Sequence, residues 1–202
     1  MGYKLEYLPS VIHAVCFDFD GTLAKYRGNF AALAAQVANR LGVNRDLNSL
    51  MARYTLEEHT EGQQNYADAL ERALLALNHE IPANLHQVAH EGIQAYVADM
   101  HLLPGALEVL NYFSHLPLAI ITNGPSDTQR AAIAKVGIAE RFQTLVVSGD
   151  ADVAVRKPNP RIFQIAAERL GVPIESCLMI GDNLEADVQG AIAAGMQGIY
   201  RP

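Results

Sequence analysis

The sequence predicts an α/β protein: a parallel sheet, covered by helices on both faces, is interrupted after its first strand by four inserted helices. Three observations lead there. The apolar run Val11-Ile12-His13-Ala14-Val15-Cys16-Phe17 ends at Asp18-Phe19-Asp20-Gly21-Thr22-Leu23, the pattern of a buried strand that stops in a tight turn. Between Asn29 and Met100 apolar residues recur at helical spacing, with hardly a strand signal among them. From Pro104 onward short apolar runs alternate with helical segments, and parallel strands need crossovers of that kind.

Along the opening strand side chains alternate faces, so Asp18 and Asp20 emerge on one side and Phe17 and Phe19 on the other. Gly21 permits a sharp turn, and Thr22 is placed to cap the next element. Phe30, Leu33, Val37 and Leu41 mark a first helix, stopped by Gly42. Leu47, Leu50, Met51 and Tyr54 mark a second, behind Asp46 as N-cap. Tyr66, Leu70, Ala73, Leu74 and Leu77 form a third stripe. A fourth runs through Leu85, Val88, Ala89, Ile93, Tyr96, Val97 and Met100, opened by Pro82 and Asn84. Short connections make these an antiparallel bundle. The second half reads as helix 104–115, strand 118–122, helix 126–136, strand 144–147, helix 159–170, strand 177–180, helix 186–194 and strand 198–200. Gly137, Gly171 and Gly195 stop its last three helices. The pattern divides the chain into a core of 1–24 and 103–202 and an insertion of 25–102. The two crossings, near 24–28 and 101–105, lie side by side, which makes a hinge geometrically possible.

Composition narrows the functional classes. A net charge of −7 leaves no basic surplus to displace the counterions of a nucleic acid. Cys16 and Cys177 sit beside apolar runs and read as buried free thiols. The seven histidines show no zinc-ligand spacing. Met1–Glu6 lack the apolar stretch of a signal peptide and the Ser or Thr of an acylation signal. No apolar run approaches the roughly 18 residues of a membrane span. A cytoplasmic protein is expected, acting on a small molecule.

Open parallel sheets bind ligands at the carboxyl ends of their strands. There the first strand delivers Asp18 and Asp20, the second Thr122-Asn123-Gly124, and a later one Gly181-Asp182-Asn183 with Asp187 behind it. Lys157 lies at the start of the helix beginning at 159. Taken singly each of these is an ordinary turn, cap or surface lysine; together, at one sheet edge, they form a constellation. Two carboxylates on one face of a buried strand repel, and a core tolerates them only with a cation or a shared proton. Clustered carboxylates favour a hard, oxygen-seeking cation, and Mg²⁺ suits a few carboxylates, waters and a substrate phosphate. Such a cation, with Lys157, reconciles an acidic site with an anionic substrate; Thr122 and the neighbouring amides are placed for the other phosphate oxygens. One aspartate can serve as nucleophile, forming an acyl phosphate, and its neighbour as proton donor and later base.

Asp18-x-Asp20-Gly21-Thr22-Leu23, Thr122-Asn123-Gly124, Lys157-Pro158 and Gly181-Asp182-x-x-x-x-Asp187 resemble, in order and spacing, the four motifs of the haloacid dehalogenase (HAD) superfamily. The resemblance covers the whole Rossmann-like core, and the helical insertion is similar to that family's alpha-helical cap. It implies Asp18 as nucleophile, Asp20 as acid and then base, Thr122 and the Asn123 amide as phosphate ligands, and Lys157 as charge balance. It further implies Mg²⁺ held by Asp18, the Asp20 carbonyl and Asp182, with Asp187 in support. Asp20 argues for phosphoryl transfer, because the family's dehalogenases lack an acid there. Its phosphonatases use a lysine from the cap, and here Lys25 is the one lysine between the first motif and Lys135. The expected activity is a Mg²⁺-dependent phosphatase acting on a small phosphorylated metabolite. Phosphomutases share the same core residues, and a non-catalytic regulatory protein would have a degraded motif set, whereas every motif residue is present. Many capped relatives carry an Asp after the Leu of the first motif; here Ala24-Lys25-Tyr26 stands instead.

Overall fold

A computed structural model describes residues 11–202; Met1–Glu6, where a targeting signal would stand, lie outside the described residues. In chain order the elements are β1 (Ala14–Phe17), β2 (Ala24–Tyr26), α1 (Phe30–Arg40), α2 (Leu47–Glu58), α3 (Tyr66–Ala76), α4 (Leu85–Ala98), β3 (Met100–Leu102) and α5 (Ala106–Tyr112). There follow β4 (Leu118–Thr122), α6 (Ser126–Lys135), β5 (Thr144–Val147), α7 (Pro160–Leu170), β6 (Cys177–Gly181), α8 (Gly190–Ala194) and β7 (Gln197–Tyr200).

The main sheet has the order β5-β4-β1-β6-β7 with every pairing parallel. The central β1 has all four residues buried because both of its faces are covered. Val15 and Phe17 face one apolar cluster with Leu110 of α5 and Ile133 of α6. Ala14 and Cys16 face another with Ile162 and Phe163 of α7 and Ala191 of α8. Two-faced burial is why these strands read as unbroken apolar runs rather than alternating ones. A third cluster, with Val37, Leu50, Leu70, Leu74 and Val88, holds the four inserted helices together. Helix α4 joins the two parts, since Ile93 and Val97 pack in the same cluster as Phe17.

Four local expectations are corrected. Met100 closes no helix: α4 ends at Ala98, and Met100 opens β3, which pairs antiparallel with β2 (Ala24↔Leu102, Tyr26↔Met100). The two crossings are therefore a two-stranded ribbon. Strands of three residues have no readable period, and each finds its partner only through the fold. Asp46 precedes α2 but makes no side-chain cap; its carboxylate lies 3.2 Å from the His79 ring. Thr22 precedes a strand rather than a helix, and its hydroxyl lies 3.5 Å from Asp182 Oδ1. The helix expected from 186 begins earlier, as a single π-turn over Leu184–Gln189, because Asn183 caps the amides of Glu185 and Ala186. Such turns recur at functional sites, and this one carries Asp187.

Candidate active site

The site is assembled where β1, β4 and β6 end. Asp18 extends the pairing of β1, its amide donating to the Ile180 carbonyl at 2.9 Å. At Gly21 the backbone takes φ +84°, and a Cβ there would lie 2.1 Å from Asp182 Oδ2. Only glycine leaves room for that carboxylate beside the turn. Arg201 secures the same turn from the chain's far end, donating Nη1 to the Gly21 carbonyl at 2.8 Å.

Lys157 is the hub. Its Nζ lies 2.6 Å from Asp18 Oδ1 and 2.6 Å from Asp187 Oδ1, and donates to the Ile121 carbonyl at 2.7 Å. Its backbone is fixed by Asn123, whose amide side chain donates to the Lys157 carbonyl (3.0 Å) and accepts from the Lys157 amide (2.9 Å). Asp187 is oriented by the Asn183 amide, which donates to its Oδ2 at 2.9 Å. Burial works against the Lys157 charge, but Asp18 and Asp187 outweigh it and hold its pKa above the ordinary value. Burial pushes the Asp18 carboxyl up to about 7, against the pull of Lys157 and with a further push from Asp187.

Asp20 has a different environment. Its Oδ2 accepts from Gln129 Nε2 at 2.9 Å, and its Oδ1 accepts from the Tyr96 hydroxyl at 3.4 Å. Burial raises its pKa, opposed by the Gln129 hydrogen bond. The same Gln129 accepts from the Thr122 hydroxyl at 3.1 Å, so one amide ties the end of β4 to the second carboxylate of the first motif.

A cation site fits these residues. Carboxylate oxygens of Asp18, Asp182 and Asp187 lie within 4.8 Å of one another. Asp18 Oδ2 is buried and has no hydrogen-bond partner among the described residues, an orphaned acceptor of the kind a ligand satisfies. An all-oxygen acidic set suits a hard divalent ion such as Mg²⁺. The Asp20 carboxylate is occupied by Gln129 and Tyr96, so any share Asp20 takes in such a site falls to its backbone carbonyl.

Two cavities meet at this point. One, of about 700 Å³, is polar and lined by Asp18, Thr122, Lys157, Asp182 and Asp187, with Glu58, His59 and Arg156 across from them. The other, of about 710 Å³, runs among the inserted helices; Asp20, Asn123, Asp182 and Glu58 line both. The insertion is held down over the site by its loop at 59–65. Gln64 donates its amide to the Gly149 carbonyl and accepts from the Ser126 amide, at 2.9 and 2.8 Å, and the Gly62 amide donates to the Ala154 carbonyl at 2.9 Å.

The haloacid dehalogenase-like hydrolase family model matches residues 12–195. The chain belongs to that family. It is 40% identical over 85 residues to a phosphoserine phosphatase of Thermus thermophilus, a match covering 42% of this chain and 33% of that one. It is 29% identical over 198 residues to a phosphoglycolate phosphatase of Pectobacterium atrosepticum, covering 94% and 80%. A HAD phosphatase from Thermococcus onnurineus has the same fold, with TM-score 0.70 at 22% identity over 95% of this chain and 86% of that one. The matches to the first curated relatives span only about a third to two-fifths of those proteins' length.

All seven residues expected at this HAD-type site from the sequence, Asn123 included, surround one pair of joined cavities. The supporting residues Gln129, Tyr96 and Arg201 were not legible. Gln129 follows Thr122 by seven residues on the next helix, a spacing that offers it as a neighbour but says nothing of Asp20. Tyr96 reads as one more member of an apolar helical stripe. Of the polar residues in the insertion, Asn29 caps α1 and Arg53 pairs with Glu57, whereas Tyr26 and His59 line the cavities.

The raised Asp18 and Asp20 pKa values have a consequence for stability. A carboxyl that binds its proton more tightly folded than unfolded contributes stability below its unfolded pKa, near 3.8, and that contribution is lost as pH rises towards the folded value. In EDTA the protein is expected to be less stable at pH 8 than at pH 5, on the order of 2–4 kcal/mol. Urea unfolding at the two pH values measures it, and a stability rising from pH 5 to 8 would contradict the assignment.

Proposed function

We propose that this chain is a Mg²⁺-dependent phosphatase that hydrolyses a small phosphomonoester through an aspartyl phosphate on Asp18. The observation that carries the reading is the division of labour between two carboxylates two residues apart. Asp18 is held at one oxygen by Lys157 and leaves the other bare, whereas Asp20 is held by Gln129 and Tyr96 with its pKa raised. A nucleophile needs a free oxygen, and a general acid needs its proton.

In the first step an Asp18 oxygen forms a bond to phosphorus as the ester oxygen departs, and Asp20 gives that oxygen its proton. In the second, Asp20 takes a proton from a water that attacks the same phosphorus, and the acyl phosphate breaks to free phosphate and restore Asp18. Lys157, Thr122 and the Asn123 amide hold the phosphoryl oxygens. Asp18, the Asp20 carbonyl and Asp182, with Asp187 behind them, would hold Mg²⁺, which supplies charge neutralisation to the transferring group. Residues 25–102 act as the cap, and 1–24 with 103–202 as the catalytic core. The named activities of the relatives support phosphomonoester hydrolysis, and the buried free thiols Cys16 and Cys177 suit a reducing cytoplasm.

Phosphate release from p-nitrophenyl phosphate tests the reading. Turnover with Mg²⁺ is expected to fall by about a hundredfold or more in EDTA and to return when Mg²⁺ is restored. Release undiminished by EDTA would overturn the metal assignment. Transfer to an added sugar phosphate in place of water would make the protein a mutase.

A further inference from the structure

Resting on the phosphatase reading, we propose that the leaving alcohol of the substrate is uncharged and carries an aromatic or similarly broad apolar body. Asp20, which protonates the leaving oxygen, is a residue at which the two cavities join. A phosphoryl group seated against Lys157 and Asp18 in the polar cavity therefore sends its ester oxygen, and whatever is attached to it, into the cavity among the helices.

The wall of that second cavity says what fits. Tyr26, Phe30, Tyr54, Tyr66 and Tyr96 all face it. They form two ring groups, Tyr26 with Phe30 and Tyr96 (centroids 4.5 and 4.8 Å) and Tyr54 with Tyr66 (5.4 Å). Aliphatic residues of α1 and α2, Leu33 and Met51 among them, complete the wall. At about 710 Å³ the space is of the size that takes a ring-bearing ligand, and a two-carbon leaving group would leave most of it unfilled. Rings stacked edge and face against aromatic side chains gain where an aliphatic acid does not.

Charge excludes the alternatives. Among the described residues the one cationic lining residue is Lys25, which is exposed. A carboxylate or second phosphate on the leaving group would lose its hydration against this largely apolar wall with no buried cation lining it among the described residues. A cationic leaving group would find rings and Glu58, a combination that recognises ammonium ions. Arg156, however, lies against the α2 terminus from the polar side, its Nη1 donating to the Glu58 backbone carbonyl at 2.7 Å, and its charge acts on the Glu58 carboxylate, so that carboxylate is already offset. An uncharged group is what remains.

Phosphate release is measured from 1-naphthyl phosphate, 6-phosphogluconate and phosphocholine. The expected kcat/KM for naphthyl phosphate exceeds both others by about tenfold or more. Met51→Arg, which places a cation on a half-buried wall, is expected to cut the preference over 6-phosphogluconate by about tenfold, and Met51→Ala to keep it. A melting curve shows whether Met51→Arg folds; Leu33→Lys, from the other wall, replaces it if not. Equal rates, or a preference for 6-phosphogluconate or phosphocholine, overturn the proposal. Release from none of the three would remove the phosphatase reading instead. Calorimetric binding of the same compounds to Asp18→Asn then decides: tighter binding of naphthyl phosphate than of 6-phosphogluconate supports the pocket assignment, and no difference overturns it.

Discussion

Replacing Asp18 with asparagine is expected to lower phosphate release by about 10⁴-fold or more, while leaving the protein folded. Asn keeps the shape of the side chain but offers no carboxylate to attack phosphorus, and neither Lys157 nor Asp20 can take that role. The variant also removes a buried charge whose own pKa is pushed up to about 7. Metal-free Asp18→Asn is therefore expected to lose much of the pH 5 to pH 8 stability difference of the parent, with the Lys157–Asp187 pair (2.6 Å) still in place. Activity shows the chemistry and urea unfolding shows the electrostatics, so a misfolded variant is not mistaken for an inactive one. Turnover within about tenfold of the parent would end the covalent mechanism.

Lys157→Met is expected to damage both stability and turnover. The ammonium is buried among three acceptors, Asp18 Oδ1, Asp187 Oδ1 and the Ile121 carbonyl. Removing one partner of a buried ionic cluster leaves the others uncompensated, which costs about 3–5 kcal/mol. The loss should be smaller at pH 5 than at pH 8, because the orphaned Asp18 carboxyl then takes up a proton. Turnover is expected to drop by about 10²–10³-fold, the scale for losing one preorganised charge at a transferring group. Urea unfolding at both pH values, with phosphate release at saturating Mg²⁺, separates the two effects. A variant as stable as the parent at pH 8 would mean that the lysine merely offsets the desolvation of its neighbours.

The sequence by itself determined the parallel sheet, the four inserted helices and the residues that meet at the sheet edge. Each depends on a local property. Buried strands need unbroken apolar runs, helices need apolar residues three and four apart, and stops need glycine. Strand ends in such a sheet converge, so Asp18, Thr122, Lys157 and Asp182 could be placed together without coordinates. The tertiary structure alone decided what holds Asp20, how the crossings pair, and what the insertion encloses. Gln129 and Tyr96 stand 109 and 76 residues from Asp20, and no local pattern links them to it. The β2–β3 ribbon joins segments too short to carry a period. The aromatic cavity arises because four amphipathic helices, each burying its own stripe, do not fill the space between them. Local patterns record which face of an element is apolar; which two faces meet, and what room they leave, is settled by packing across the whole chain.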